Sequence, residues 1–235
     1  VVTTFDIPVQ ISHLRKRRDF MQSFKNPVSI PSGNISLEGE LLLPRNPTGI
    51  VLFVHGSGSS RHSPRNQYVA RIIREAGIGT LLFDLLTPEE DAVDQYNRQF
   101  RFDISLLTQR LNDATKWLIN IAEYPPLSIG YFGSSTGAAA ALSAAAHFGN
   151  LIHAVVSRGG RPDLADPDLQ QVIAPTLLIV GGLDDIVIEI NKSVLLQLQC
   201  EKELSIIPGA THLFEEPGTL ELVAQCAANW FKKHL

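Results

Sequence analysis

Leu127-Ser128-Ile129-Gly130-Tyr131-Phe132 runs into Gly133-Ser134-Ser135-Thr136-Gly137 and on into Ala138-Ala139-Ala140-Ala141-Leu142-Ser143-Ala144-Ala145-Ala146. The first stretch is nearly all apolar and reads as a short buried strand. The last is dense in Ala, the best helix former, and reads as a helix over 138–146. The junction has the form G-x-S-x-G. A strand that turns sharply into a helix forces the central residue into a strained conformation. Small neighbours are then needed so that the two backbones can approach closely. Such a turn lifts the Ser135 hydroxyl clear of the sheet at a helix N-terminus, which makes Ser135 the candidate nucleophile. The bland alternative is a Gly-rich turn with Ser135 as a helix N-cap, so the rest of the chain has to decide.

Working outward, apolar runs alternate with helical patterns. Residues 50–54 are wholly apolar, as central parallel strands are, and end in His55-Gly56-Ser57-Gly58. A helical pattern over 68–76 closes at Gly77. Residues 79–83 form the next strand, ending at Asp84, and a polar, acidic loop with Glu89, Glu90, Asp91 and Asp94 is expected after it. Residues 104–122 give a long helix with Leu107, Leu111, Ala114 and Leu118 on one face, stopped by Pro125-Pro126. Later strands over 152–156, 176–180 and 204–207 end at Ser157-Arg158, Gly181-Gly182-Leu183-Asp184 and Pro208-Gly209-Ala210-Thr211-His212. Helices are expected over 189–199 and 219–233. Upstream, 28–30 and 35–43 read as an antiparallel pair across Pro31-Ser32-Gly33-Asn34, a good turn sequence. The alternation predicts an α/β fold: a mostly parallel central sheet of about eight strands flanked by helices. The segment between Ser157 and Thr176 is too short to hold a cap domain. Residues 1–26 read as an N-terminal extension with a helix over 11–24, and 27–235 as one domain.

At 235 residues the chain can bury a sizeable core, and 44% hydrophobic with 19% charged residues is ordinary for a globular protein. A net charge of −4 argues against a nucleic-acid partner. The one basic run, Arg15-Lys16-Arg17-Arg18, reads as a solvated helix face. Cys200 and Cys226 are too few for a disulfide framework and read as buried free thiols. No stretch approaches the ~18 consecutive apolar residues of a membrane span. The start, Val1-Val2-Thr3-Thr4-Phe5-Asp6, lacks the pattern of a signal peptide, and without an initiator Met it reads as processed or trimmed. A cytoplasmic protein without a membrane partner is expected.

In open α/β sheets, ligands bind beyond the carboxyl ends of the strands. Here those ends carry His55-Gly56-Ser57, Ser135, Arg158, Asp184 and His212. A serine hydroxyl is a weak nucleophile at neutral pH and needs a base, which in turn needs an orienting partner. His212 can be the base and Asp184 the orienting acid, with Asp185 its rival. Backbone N–H groups of Thr136 and Ser57 can stabilise an oxyanion. His55 reads as a hydrogen-bonding residue of its own loop. Gly56-x-Gly58 is a weak dinucleotide signal, because Arg61 holds the third glycine position. No His, Cys and Asp set has metal-ligand spacing, so neither metal nor cofactor is expected.

The set His55-Gly56-Ser57-Gly58, Gly133-Ser134-Ser135-Thr136-Gly137, Gly181-Gly182-Leu183-Asp184 and Gly209-Ala210-Thr211-His212 resembles the α/β-hydrolases of the dienelactone-hydrolase-like group, from about residue 28 to the C-terminus. The resemblance implies the α/β-hydrolase fold and a triad in the order Ser135, Asp184, His212. It favours Asp184 over Asp185 by the family's spacing. Dienelactone hydrolase itself uses a cysteine nucleophile; Ser135 here shifts the expectation toward a serine esterase acting on a small ester, lactone or thioester. Some similar bacterial proteins carry a phosphoribosyltransferase domain ahead of the hydrolase, for which 235 residues leave no room. Two other readings remain open. A non-catalytic binding module would not react with a serine-directed probe. An acyltransferase would pass the acyl group to an added alcohol or thiol. Arg158 and Arg161, just past a strand end near Ser135, can hold a substrate carboxylate; the alternative is a salt bridge with Asp163 or with the acidic loop.

Overall fold

The computed structural model describes residues 24–121 and 127–235. Nearly all of the helix expected over 11–24 and the whole basic run lie outside the described residues. An eight-stranded sheet organises the rest, with strand order β1-β2-β4-β3-β5-β6-β7-β8. The strands are β1 (Phe24–Ser32), β2 (Ile35–Leu43), β3 (Gly49–Val54), β4 (Gly79–Phe83), β5 (Ser128–Ser134), β6 (Ile152–Arg158), β7 (Thr176–Gly181) and β8 (Lys202–Ile207). β1 and β2 form the antiparallel hairpin read from the sequence, β2 joins β4 antiparallel, and every pairing from β4 to β8 is parallel.

β1 is longer than the three residues expected. It takes in Pro27 as well as Pro31, which reads from the sequence as part of the turn. It is an edge strand, and an edge tolerates a residue that cannot donate to a ladder.

Two apolar layers sandwich the sheet. On one face lie α1 (Pro64–Glu75) and α6 (Thr219–His234), which bury Val69, Ile73, Val223, Ala227 and Phe231 against Val51, Phe53 and Phe132. The Phe53 and Phe132 rings, on adjacent strands, have centroids 4.8 Å apart; such pairs add ~0.5–1.5 kcal/mol beyond burial. The other face is covered by α3 (Ile104–Ile119) and α4 (Thr136–Phe148). Every residue from Thr136 to Ala145 is buried, so the alanine run is an inner helix lying close on the sheet.

The acidic stretch after Asp84 is not a loop, as expected, but carries α2 (Pro88–Asn97). Thr87 caps it through a reciprocal capping box with Glu90, Pro88 opens it, and Glu89, Glu90 and Asp91 fill its first turn. Those acids suit the positive end of the helix dipole, so the charge run is a helix start. α5 spans Asp185–Gln197 and begins four residues before the expected start, with Asp184 at its N-cap. Between β6 and β7 lie two short 3-10 turns, Pro162–Ala165 and Asp168–Gln171, and no cap. Cys200 follows α5, and both cysteines are free but half-buried, not buried as expected. Among the described residues, no helix is long and apolar enough to cross a membrane.

Candidate active site

Ser135 sits between β5 and α4 at φ 50°, ψ −121°. A positive φ on a residue with a side chain costs ~1–3 kcal/mol and persists only where the surroundings enforce it. Here they do. A β-carbon on Gly137 would lie 2.2 Å from the Val54 carbonyl oxygen, and one on Gly133 would lie 2.5 Å from Ala138 Cα. Strand, turn and helix are therefore packed backbone to backbone. The turn is also tied to β6: Ser135 N–H donates to Arg158 O at 3.2 Å, and the Ser135 carbonyl accepts from Ala138 N–H and Arg161 N–H. Ser135 is half-buried while its neighbours on both sides are buried.

The loop after β3 lies directly against this turn. A β-carbon on Gly56 would come within 2.9 Å of Ser134 O and Ser135 Cβ. His55 is buried, with Nδ1 3.0 Å from Gly56 O and Nε2 3.0 Å from the N–H of Leu85. A carbonyl only accepts and an N–H only donates, so the ring is the Nδ1–H tautomer. Burial pushes the imidazole below its ordinary value, against smaller upward pulls from Gly56, Asp84 and Asp91. His55 is thus a neutral strut of its loop, as the sequence suggested.

Ser57 Oγ donates to Arg101 O at 3.2 Å and lies 3.0 Å from Thr136 Oγ1. With its proton committed to Arg101, Ser57 accepts from Thr136. The two proposed oxyanion residues are therefore cross-linked. Neither backbone N–H has a hydrogen-bond acceptor among the described residues. Behind Ser57 stands a pair that sequence reasoning missed. Asp94 is wholly buried and accepts from Phe100 N–H at 2.7 Å, from Arg101 N–H at 3.0 Å and from Arg101 Nε. Burial alone would raise the Asp94 carboxyl, yet these donors hold it below the ordinary range. Arg101 Nη1 would lie 3.3 Å from a β-carbon on Gly58, beside Ser57.

The third component comes from β7 and β8. A β-carbon on Gly181 would lie 2.5 Å from the carbonyls of both Ala210 and Thr211, so the loop after β8 presses on the end of β7. Leu183 N–H bonds Ala210 O at 2.9 Å. This contact brings His212 Nδ1 to 2.7 Å from Asp184 Oδ2, leaving Nε2 as the free ring nitrogen. Asp184, not exposed Asp185, meets the imidazole. His212 also lies over Gly159, where a β-carbon would be 3.5 Å from its Cε1 and 3.2 Å from its carbonyl oxygen. The residue before Gly159 is Arg158, whose carbonyl holds Ser135 N–H. Serine, imidazole and carboxylate are gathered at one end of the sheet.

The two arginines part company. Arg161 Nε and Nη2 grip Asp163 at 2.9 Å and 2.7 Å, the salt bridge weighed from the sequence. Arg158 is buried and meets no carboxylate among the described residues. No group of three or more His, Cys, Asp or Glu suited to a metal occurs among the described residues.

Comparison with known proteins identifies the fold and the family. The chain is 56% identical to a dienelactone hydrolase from Anabaena variabilis, whose crystal structure superposes with a TM-score of 0.89 over 91% of this chain and 99% of that one. Est1E from Butyrivibrio proteoclasticus, 15% identical, shares the fold, with a TM-score of 0.74 over 88% of this chain and 98% of its own. A Mycobacterium tuberculosis protein provisionally named a phosphoribosyl transferase is 55% identical over 88% of this chain. The match covers 46% of that protein, so the chain spans about half the length of its curated relatives. The sequence pattern of the Dienelactone hydrolase family matches residues 37–235, and the chain belongs to that family.

Proposed function

We propose that this hydrolase is a serine esterase-like enzyme that cleaves a small carboxylic ester, lactone or thioester through an acyl-Ser135 intermediate. The observation that carries the reading is the His212–Asp184 hydrogen bond, held over Gly159 beside the strained Ser135 turn. Ser135 Oγ attacks the carbonyl carbon while His212 Nε2 takes its proton. The carbonyl π electrons move to oxygen, and the N–H groups of Ser57 and Thr136 stabilise the charge. Collapse expels the alcohol or thiol, which receives the proton from His212. Water then repeats the sequence on the acyl group, releasing the acid and restoring Ser135. Asp184 keeps the imidazole in the Nδ1–H tautomer and stabilises it when protonated. Every group needed is a side chain or backbone N–H of this chain, so no cofactor or metal enters. The two free cysteines suit a reducing compartment, and the working location is the cytoplasm. A fluorophosphonate probe with peptide mapping tests the reading. Label should appear on Ser135 and vanish in His212→Ala; label on another residue, or none, rejects it.

A further inference from the structure

Arg158 is the last residue of β6 and pairs in register with Ser134 of β5. Paired residues of adjacent strands project to the same face. The Ser134 hydroxyl reaches Asn66 Oδ1 of α1 at 3.3 Å, so the Arg158 side chain also runs toward the first turn of α1. Arg65 is the preceding residue in that turn. Arg158 is only 8% exposed, its side chain makes no hydrogen bond among the described residues, and Nη1 is shut off from solvent without an acceptor. Arg65 Nε is likewise buried without an acceptor, although Arg65 Nη1 holds Glu215 at 2.9 Å.

This is not how the chain treats its other arginines near the strand ends. Arg61 lies on Asp84 and Glu38, Arg101 on Asp94, and Arg161 on Asp163. Arg158 instead has another cation beside it. Burial, and then the charge of Arg65, push its guanidinium down to about 10. An uncompensated buried cation is among the costlier features a fold can keep. The missing element is a negative charge.

Position says what would supply it. The carbonyl of Arg158 braces Ser135 N–H, and Gly159 packs beneath His212. The Arg65–Glu215 pair ties α1 to the loop that carries His212. The backbone of Arg158 and Gly159 therefore runs between nucleophile and base, and the Arg158 side chain leaves it on the α1 side, where Arg65 stands. We propose that Arg158, assisted by Arg65, is a receptor for a carboxylate or phosphate group of the substrate cleaved at Ser135. The substrate part of the inference rests on the serine-hydrolase reading; the anion site does not. A planar fork with free N–H groups fits an oxyanion and offers nothing to an apolar acyl chain.

The test uses two readouts. In the first, melting temperature is followed with sodium succinate and, separately, inorganic phosphate in an otherwise weakly coordinating buffer. Saturating anion, about 100-fold above its Kd, should raise the wild-type value by roughly 5–10 °C. Arg158→Met should melt at or above the wild type without anion and should not respond to it, because it removes the uncompensated charge. Arg65→Gln should weaken the response. The stronger of the two salts identifies the group. In the second readout, mono-4-nitrophenyl succinate is compared with 4-nitrophenyl butyrate. Wild type should favour the charged ester by ~10-fold or more in kcat/KM, a single charge-assisted contact, and Arg158→Met should lose that ratio. An Arg158→Met protein that melts lower and still responds to both anions overturns the proposal; so does a wild type indifferent to charge in both readouts. An anion response that follows Arg158, with no turnover of either ester, keeps the site and rejects the hydrolase reading instead.

Discussion

Asp94→Asn should damage both stability and turnover, although residue 94 touches no substrate. The carboxylate is wholly buried and holds the corner at 94–101 through two backbone N–H groups and the Arg101 guanidinium; Arg101 Nη2 adds a bond to its carbonyl at 3.0 Å. The amide keeps the shape, but it supplies one acceptor oxygen and turns an NH2 toward a donor. Breaking one side of a buried ion pair costs ~3–5 kcal/mol, because the remaining charge is left uncompensated. At ~2–4 °C per kcal/mol for a chain of this size, the melting temperature should drop by roughly 6–20 °C. Kinetics follow through Arg101, whose carbonyl accepts the Ser57 hydroxyl and so positions the Ser57 N–H. Loss of one oxyanion donor costs ~10²–10³ in kcat, so a displaced donor should cost ~10-fold or more, with KM less affected. The pH dependence has a definite sign. The Asp94 carboxyl is held below its unfolded value, so its stabilisation is complete above about pH 4 and lost as pH falls through the folded value. The deficit of the variant should therefore be the same at pH 6 and pH 8. Thermal unfolding and steady-state ester hydrolysis measure both effects. A melting temperature within ~2 °C of wild type together with an unchanged kcat refutes the reasoning.

Asp184→Asn should lower kcat by about 10³-fold or more while Asp185→Asn stays within a few-fold, since Asp184 alone bonds His212; the reverse order would mean the wrong acid. Gly137→Ala should abolish turnover and cost at least ~3 kcal/mol, read by denaturant unfolding, because its β-carbon meets the Val54 carbonyl at 2.2 Å; a stable, active variant would contradict the close approach. Imidazole nitrogen shifts should show His55 as the Nδ1–H tautomer, still neutral below pH ~6.5. Because its folded value is lowered, the stability it contributes is full above that pH and falls as acid charges the unfolded chain; ordinary titration in the native state would count against the strut.

The sequence made the scaffold legible because its signals are local. G-x-S-x-G, flanked by an apolar run and an alanine run, marks a strand-turn-helix unit. Strand ends at Asp184 and His212 are recognisable because chemistry-bearing residues follow apolar runs. Boundaries were less legible where context overrules composition. The strand read over 28–30 in fact runs through Pro27 and Pro31, which an edge position tolerates. The acids after Asp84 suggested solvent, although Thr87 and Glu90 in capping-box spacing could have revealed α2. Asp94–Arg101 left no such trace. Its partners meet across a turn, and burial is a property of the folded chain. The same holds for the arginines: Arg158 and Arg161 look equivalent in sequence, and only packing shows that one has a carboxylate and the other does not.

The most direct test of the central claim is the hydrolysis of 4-nitrophenyl esters graded by acyl length and charge, by wild type and by Ser135→Ala of equal melting temperature. If Ser135 is the nucleophile, the variant loses at least ~10³-fold in kcat on every ester that the wild type cleaves. Turnover by Ser135→Ala within a few-fold of wild type would contradict the account.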